Sequence, residues 1–143
     1  MVCSNVYNTT AESAVKVSAH FTVKEFQSQD GANIVLVHST LPPILEKIRA
    51  KLGGAPIVIN SGYRTVAHNK AVGGASASYH LYGLAADIVV PGYLPITVAR
   101  AAQSVMSNTG GIGLYQSFVH IDARVNVYRF DKRSGTEKKV SGF

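Results

Sequence analysis

The chain has 143 residues, of which 46% are hydrophobic and 15% charged, enough for one well-buried core and too few for two domains of ordinary size. Fourteen Lys and Arg against eight Asp and Glu give a formal charge of +6, which favours polyanions in general; aromatic residues do not interleave with the basic ones as in a nucleic-acid module, so no specific nucleic-acid partner is expected. The lone cysteine, Cys3, excludes an internal disulfide and a thiolate-rich zinc site, and with no membrane-length apolar segment and no secretory leader, neither membrane insertion nor self-directed export is expected.

In chain order, residues 1–18 are small and polar and read as a loose lead-in that can pack as a strand. Thr22 to Phe26 reads as a short helix: Thr22 caps it, Glu25 stands at the third position after the cap, and Phe21 and Phe26 flank it as a staple. From Thr40 to Leu52 the residues Leu41, Ile44, Leu45, Ile48 and Leu52 recur every three or four positions, the period of one apolar helix face. Pro42 and Pro43 suit the first turn of that helix, and Gly53-Gly54 ends it. Ile57, Val58 and Ile59 predict a buried strand over Pro56 to Asn60, with a polar stretch, Asn60 to Arg64, at its end.

Residues 65–72 can form a short helix, and Gly73 to Ser78 is a small-residue loop. Leu84 to Val90 reads as an apolar strand that contains one charge, Asp87, and is closed by Pro91-Gly92. A second helix is expected from about Ile96 to Ser107, with Val98, Ala102, Val105 and Met106 toward the core. Strands at Gly111 to Tyr115, Phe118 to Asp122 and Val125 to Phe130, a turn at Arg133 to Gly135 and a basic tail over 131–143 complete one domain spanning 1–143. Helices early and midway with strands late predict an α+β fold, the helices packed on a mainly antiparallel sheet.

A carboxylate inside an apolar strand, as at Asp87, is costly unless paired, hydrogen-bonded or bound to metal. His80 precedes it by seven residues. In Phe118-Val119-His120-Ile121-Asp122 the His and the Asp are two apart and share one face of a strand. Asp122 there suits either an orienting acid for a ligand histidine or a general base, one role at a time. Two histidines and a carboxylate leave a fourth position open, as in catalytic zinc sites; spacing alone equally allows two core histidines and a salt-bridged Asp. Ser78, two residues from His80, raises a Ser-His-Asp alternative, but no GxSxG elbow is present, and Gly73-Gly74 lacks the rest of a phosphate loop. Arg64, just past a strand end, can pair with a substrate carboxylate or a polarised carbonyl.

The segments Ser61-Gly62-Tyr63-Arg64-Thr65, Asn69, Val72-Gly73-Gly74, Ser78-Tyr79-His80-Leu81-Tyr82-Gly83-Leu84-Ala85-Ala86-Asp87-Ile88 and, later, Gly111 to Tyr115 and Phe118 to Asp122 together resemble the zinc D-alanyl-D-alanine carboxypeptidases and the L-alanyl-D-glutamate peptidases of phage endolysins. The similarity runs from about Phe21 to Arg124. It implies the hedgehog/DD-peptidase fold, zinc as cofactor with His80, Asp87 and His120 as ligands, Arg64 facing the substrate and Ser78 in the pocket. Many members carry an acid three residues before the last zinc histidine; here Ser117 holds that place, which makes Asp122 the expected base. Tyr82 and Tyr115, with Tyr63, are expected to line the cleft.

The function so implied is hydrolysis of a peptide bond in peptidoglycan stem peptides, by a monomer acting at the cell wall, in the periplasm or after delivery by a phage. Its alternative is a non-catalytic, zinc-stabilised wall-binding module or phage structural module.

Overall fold

The apolar periodicities become a six-stranded sheet with two long helices against it in the computed structural model, which describes residues 4–143; Cys3 lies outside them. Strand β1 (Ser4–Asn8) pairs antiparallel with β2 (Ile34–His38) in a small separate sheet. Helix α1 spans Leu41–Lys51, β3 Val58–Ser61, α2 Val66–Ala71, β4 Ala85–Val89 and α3 Pro95–Met106. Strands β5 (Gly111–Leu114), β6 (Val119–Asp122), β7 (Tyr128–Asp131) and β8 (Lys138–Lys139) follow. The large sheet has the order β3-β4-β6-β5-β7-β8, and all its pairs are antiparallel except β5 with β7. The fold is thus α+β, with helices packed on a largely antiparallel sheet.

The core sits between that sheet and α1 and α3. Helix α1 buries Leu41, Leu45 and Ile48, the face that its three-and-four spacing predicts, each side chain contributing roughly 1.5–3 kcal/mol of transfer free energy. Helix α3 buries Val98, Ala99, Ala102 and Met106 and packs on α1, β5 and β6. The small alanines on this face let the helix lie close to the all-buried β5. The expected capped turn is present at Val23–Phe26: the Thr22 amide donates to Glu25 Oε2 at 2.7 Å, and the Phe21 and Phe26 rings meet edge to face at 6.2 Å.

Three local expectations change. The strand read as buried at 56–60 is the edge strand β3, and its Val58 is 46% exposed; an apolar run does not say which strands flank it. The last long strand begins at Tyr128, not Val125. Val125 and Val127 stand in solvent because pairing with β5 starts where Tyr128 faces Gly111. Strand β2 was not anticipated, although Ile34-Val35-Leu36-Val37 alternates with Val35 and Val37 wholly buried.

Both ends of the described residues are tied down. Within the polar lead-in, β1 is hydrogen-bonded to β2, and at the other end the Phe143 amide donates to Gln103 on α3 at 2.9 Å. The arginines before and at the start of the basic tail do not form a continuous free patch. Arg129 is buried and donates to the carbonyls of Gly110 and Ser107 beyond the end of α3, while Arg124 and Arg133 are ion-paired to Asp122 and Asp131. Among the described residues no helix is long and apolar enough to cross a membrane.

Candidate metal centre and its cleft

Sheet register builds the centre. Across four strands the row Ser61, Asp87, His120, Gly113 is in direct cross-strand register, and Phe130 continues it on β7. Residues so paired project on one face of the sheet a few ångströms apart. Asp87 and His120 therefore meet because β4 and β6 are neighbours: His120 Nδ1 lies 3.0 Å from Asp87 Oδ1. Gly113 has no side chain on this face, and the Phe130 ring fills the space, 6.0 Å from the His120 ring.

His80 arrives from the other side, on a single 3-10 turn at Tyr79–Tyr82. Ser78 caps this turn by accepting from the His80 amide at 3.3 Å. Gly83 leaves it with φ 69°, packed so tightly on the backbone of Leu36 that a side chain would collide with it. The ring of His80 is buried, with Nδ1 2.7 Å from the Gly62 carbonyl. A carbonyl only accepts, so Nδ1 carries a proton, and Nε2 is the ring nitrogen turned to the cluster, 3.4 Å from Asp87 Oδ1. Donor atoms of His80, Asp87 and His120 lie within 4.8 Å of one another, a cluster able to coordinate a metal ion.

Behind His120 stands Asp122, with 0% exposure. Its Oδ2 accepts from His120 Nε2 at 2.8 Å and from Arg124 Nη2 at 2.6 Å; its Oδ1 accepts from Arg124 Nε at 2.7 Å and from the amides of Gly111 and Arg124 at 3.0 and 3.1 Å. A carboxylate offers about four lone-pair sites, so this one is saturated. Burial would raise its pKa, but the bonds from His120 and Arg124 override that and hold it well below the usual carboxylate range. Gly111 is required here, since a methyl group on it would overlap the Asp122 carboxylate. Arg124 is in turn clamped between the rings of Tyr79 and Tyr128, at 4.4 and 4.8 Å from their centres.

Asp87 is likewise held low, its burial outweighed by hydrogen bonds and charge from His120 and His80. Burial would lower the His120 pKa, yet the carboxylates on both ring nitrogens raise it to about 9. Without metal, His120 is therefore an imidazolium at neutral pH, bridging two carboxylates.

The centre opens into a cleft of about 540 Å³ lined by Arg64, the Val72–Ser78 loop, Tyr115, Phe118, Lys132 and Glu137 among others. Arg64 is fixed by Ser61 Oγ at 3.0 Å, Asn69 Oδ1 at 3.3 Å and Asp87 Oδ2 at 3.2 Å. These contacts leave part of its guanidinium fork free toward the cleft. Tyr115 stacks on Phe118 at 4.2 Å, and burial first, then the Asp87 charge, pushes its hydroxyl pKa up.

The structure thus gathers His80, Asp87, His120, Arg64, Ser78 and Tyr115 around one cleft. Asp122 touches the centre only through His120 and does not line the cleft, nor does Tyr82, which is 55% exposed with its carbonyl bound to the Ser4 hydroxyl. Tyr63 is in the core. The other histidines do not join: His20 pairs with Glu46 and His38 with Thr40. Reading the sequence missed Arg124 as part of the site. Its signal was the spacing His120, Asp122, Arg124, three residues in alternation on one face.

A two-histidine, one-carboxylate cluster at the floor of an arginine-bearing cleft has the donor set of a site able to hold a metal ion within reach of substrate. The Peptidase M15 family model matches residues 18–122, and the chain belongs to that family. It is 42% identical over 60 residues to the zinc D-Ala-D-Ala carboxypeptidase of Streptomyces albus G, covering 42% of this chain and 24% of that protein. It is 34% identical over 98 residues to MepK of Haemophilus influenzae, a probable peptidoglycan L,D-endopeptidase, covering 60% of this chain and 52% of MepK. The chain therefore spans at most about half the length of these curated relatives.

Proposed function

We propose that this chain is a zinc-dependent peptidase that hydrolyses a peptide bond in peptidoglycan stem peptides. The observation that carries the reading is the convergence of His80 Nε2, Asp87 Oδ1 and His120 Nδ1 on one point at the floor of a cleft where Arg64 keeps free donors. The donor set fits zinc: two imidazoles and one carboxylate, with one ring oriented by a backbone carbonyl and the other by a carboxylate. When bound there, zinc supplies polarisation of the scissile carbonyl and a water of lowered pKa.

Around it the chain's own residues bind and orient. Arg64, held on three sides, presents its remaining N–H groups to a substrate carboxylate or to the oxygen that gains charge. Ser78 keeps the His80 turn in place, and Tyr115 and Phe118 form an apolar wall for the peptide. Of the two roles open to Asp122, its saturated and buried carboxylate supports orienting His120 over accepting a proton from the cleft. Asp87 and Glu137 are then the carboxylates that line the cleft among the described residues. This keeps a second reading in view, a zinc-stabilised binding module without turnover.

The test is an assay of zinc-loaded protein on purified peptidoglycan and defined muropeptides, with products identified by mass and a chelated control. Zinc-dependent release of D-alanine establishes carboxypeptidase action, and a new internal amino terminus establishes an endopeptidase. Tight binding of muropeptides with no product from any of them establishes the binding module.

The protonated His120 makes metal binding pH-dependent. Its Nδ1 proton must leave before a metal can bind, so zinc affinity is expected to rise by about tenfold per pH unit toward pH 9 and then to flatten. Because its folded pKa is raised, His120 stabilises the metal-free chain fully below its unfolded value of 6.5, and this contribution is lost as pH rises through about 9. The gain in melting temperature on adding zinc should therefore grow from pH 6.5 to pH 9. Calorimetry in buffers of different ionisation enthalpy would count the released proton; no proton release at pH 7 would remove the imidazolium from the account.

A further inference from the structure

Of the three Lys and Arg that line the cleft, Arg64 and Arg124 are ion-paired and Lys132 is not. Arg64 pairs with Asp87, and Arg124 with Asp122. Glu137 is in the opposite position, a cleft-lining carboxylate on the β7–β8 hairpin that forms no ion pair with any Lys or Arg of the described residues. Its one side-chain bond is from the Tyr128 hydroxyl to Oε2 at 2.8 Å. That bond raises the Tyr128 pKa, so the phenol remains a neutral donor to it. Lys139, whose ammonium lies 5.9 Å from the Tyr128 ring centre, is on the same hairpin but outside ion-pair distance of the carboxylate.

Glu137 is also held in place. Tyr128 lies under the Arg124 guanidinium, which is locked onto Asp122, and its ring packs against Phe130 at 5.6 Å. One carboxylate oxygen is anchored by this chain of contacts and the other remains available, in a cleft whose remaining charged lining is cationic or already paired. An exposed carboxylate that is anchored, has no ion-pair partner and lines the same cleft as His80, Asp87 and His120 recognises a positive group.

We propose that Glu137, positioned by Tyr128, forms a specificity subsite for a primary ammonium group of the substrate, selecting peptides with a free amine near the bond that is cut. The proposal rests on the peptidase reading and adds a substrate feature to it. A peptide whose amine is acetylated loses both the charge and two donors at this point, so the pair of peptides isolates the interaction.

The experiment uses two peptides of stem composition, identical except that a diamino residue carries a free or an acetylated side-chain amine. Dissociation constants by calorimetry and kcat and KM are measured on the zinc-loaded chain and on Glu137→Gln, whose amide oxygen can still accept from Tyr128. The wild type is expected to prefer the free amine by about tenfold in Kd and KM, the scale of one charge-assisted bond in a solvated cleft. Glu137→Gln is expected to lose that preference because it binds the free-amine peptide less well, while its Kd for the acetylated peptide and its zinc content stay as in the wild type. No preference in the wild type, a preference that survives in Glu137→Gln, or an equal fall on both peptides would each overturn the subsite, the last showing that Glu137 only supports Tyr128. If neither peptide is cleaved but the amine preference appears in Kd and vanishes in the variant, the subsite stands and the hydrolytic reading fails.

Discussion

Asp87→Ala is expected to yield a chain that retains no stoichiometric zinc after dialysis, turns over stem peptides at least about a thousandfold more slowly, the scale of losing several kcal/mol of metal-supplied stabilisation, and is less stable by about 3 kcal/mol when metal-free, the lower end for breaking a buried pair. The reason is its place in the register: Asp87 lies opposite His120 on one side and Ser61 on the other, and its two oxygens serve His80, His120 and Arg64 together. Removal leaves two ring nitrogens and a guanidinium facing one another without the charge that drew them there. Because its folded pKa is depressed, the Asp87 contribution is fully present above its ordinary value of 3.8 and fades as pH falls through the folded value. The stability deficit should therefore persist from pH 7 to pH 5 and close only in strong acid. Metal analysis, urea titration and product chromatography would check the three parts separately; one tightly held zinc per chain in the variant would remove Asp87 from the ligand set.

How much of this was legible depends on where the information lies along the chain. His80 and Asp87 sit seven residues apart, and a charge within Ala85-Ala86-Asp87-Ile88-Val89 needs a buried partner whatever the topology. The shared face of His120 and Asp122 follows from strand alternation alone, and the 2.8 Å bond between them is its realisation. Which role Asp122 plays was not legible, because alternation puts it beside His120 in either case. The difference is made by Arg124 and the Gly111 amide, and the latter comes from β5, a neighbour that periodicity does not identify. Tyr82 was not legible either: side chains three apart in a 3-10 turn eclipse, which would put Tyr82 with Tyr79, yet Tyr79 and His80 line the cleft and Tyr82, at the end of the turn, does not. The parallel pairing of β5 with β7, which brings Tyr128 and then Glu137 to the cleft, depends on a crossover between strands that are not consecutive in sequence, and no local pattern near Val125 announces it.

Asp122→Asn separates orientation from proton transfer at this residue. The asparagine retains one oxygen that can accept from the Gly111 amide or Arg124, but it replaces the other by a donor facing His120 Nε2, which already donates in the native arrangement. The ring must turn or its tautomer must change, and the ligand atom Nδ1 moves with it. Zinc affinity is expected to fall by about 10- to 100-fold, the range for loss of a partner behind a metal-bound histidine. Arg124 also loses its counter-charge, so the metal-free variant should be less stable by about 1–3 kcal/mol. If Asp122 acts only by holding His120, raising zinc to saturation restores most of kcat, because the groups that face the substrate are unchanged. Were Asp122 the proton acceptor, kcat would stay low at every zinc concentration and the acidic limb of its pH profile would disappear. A zinc titration of kcat for the wild type and the variant therefore decides between the two. The closed shell of five hydrogen bonds around a carboxylate with no exposed surface predicts recovery.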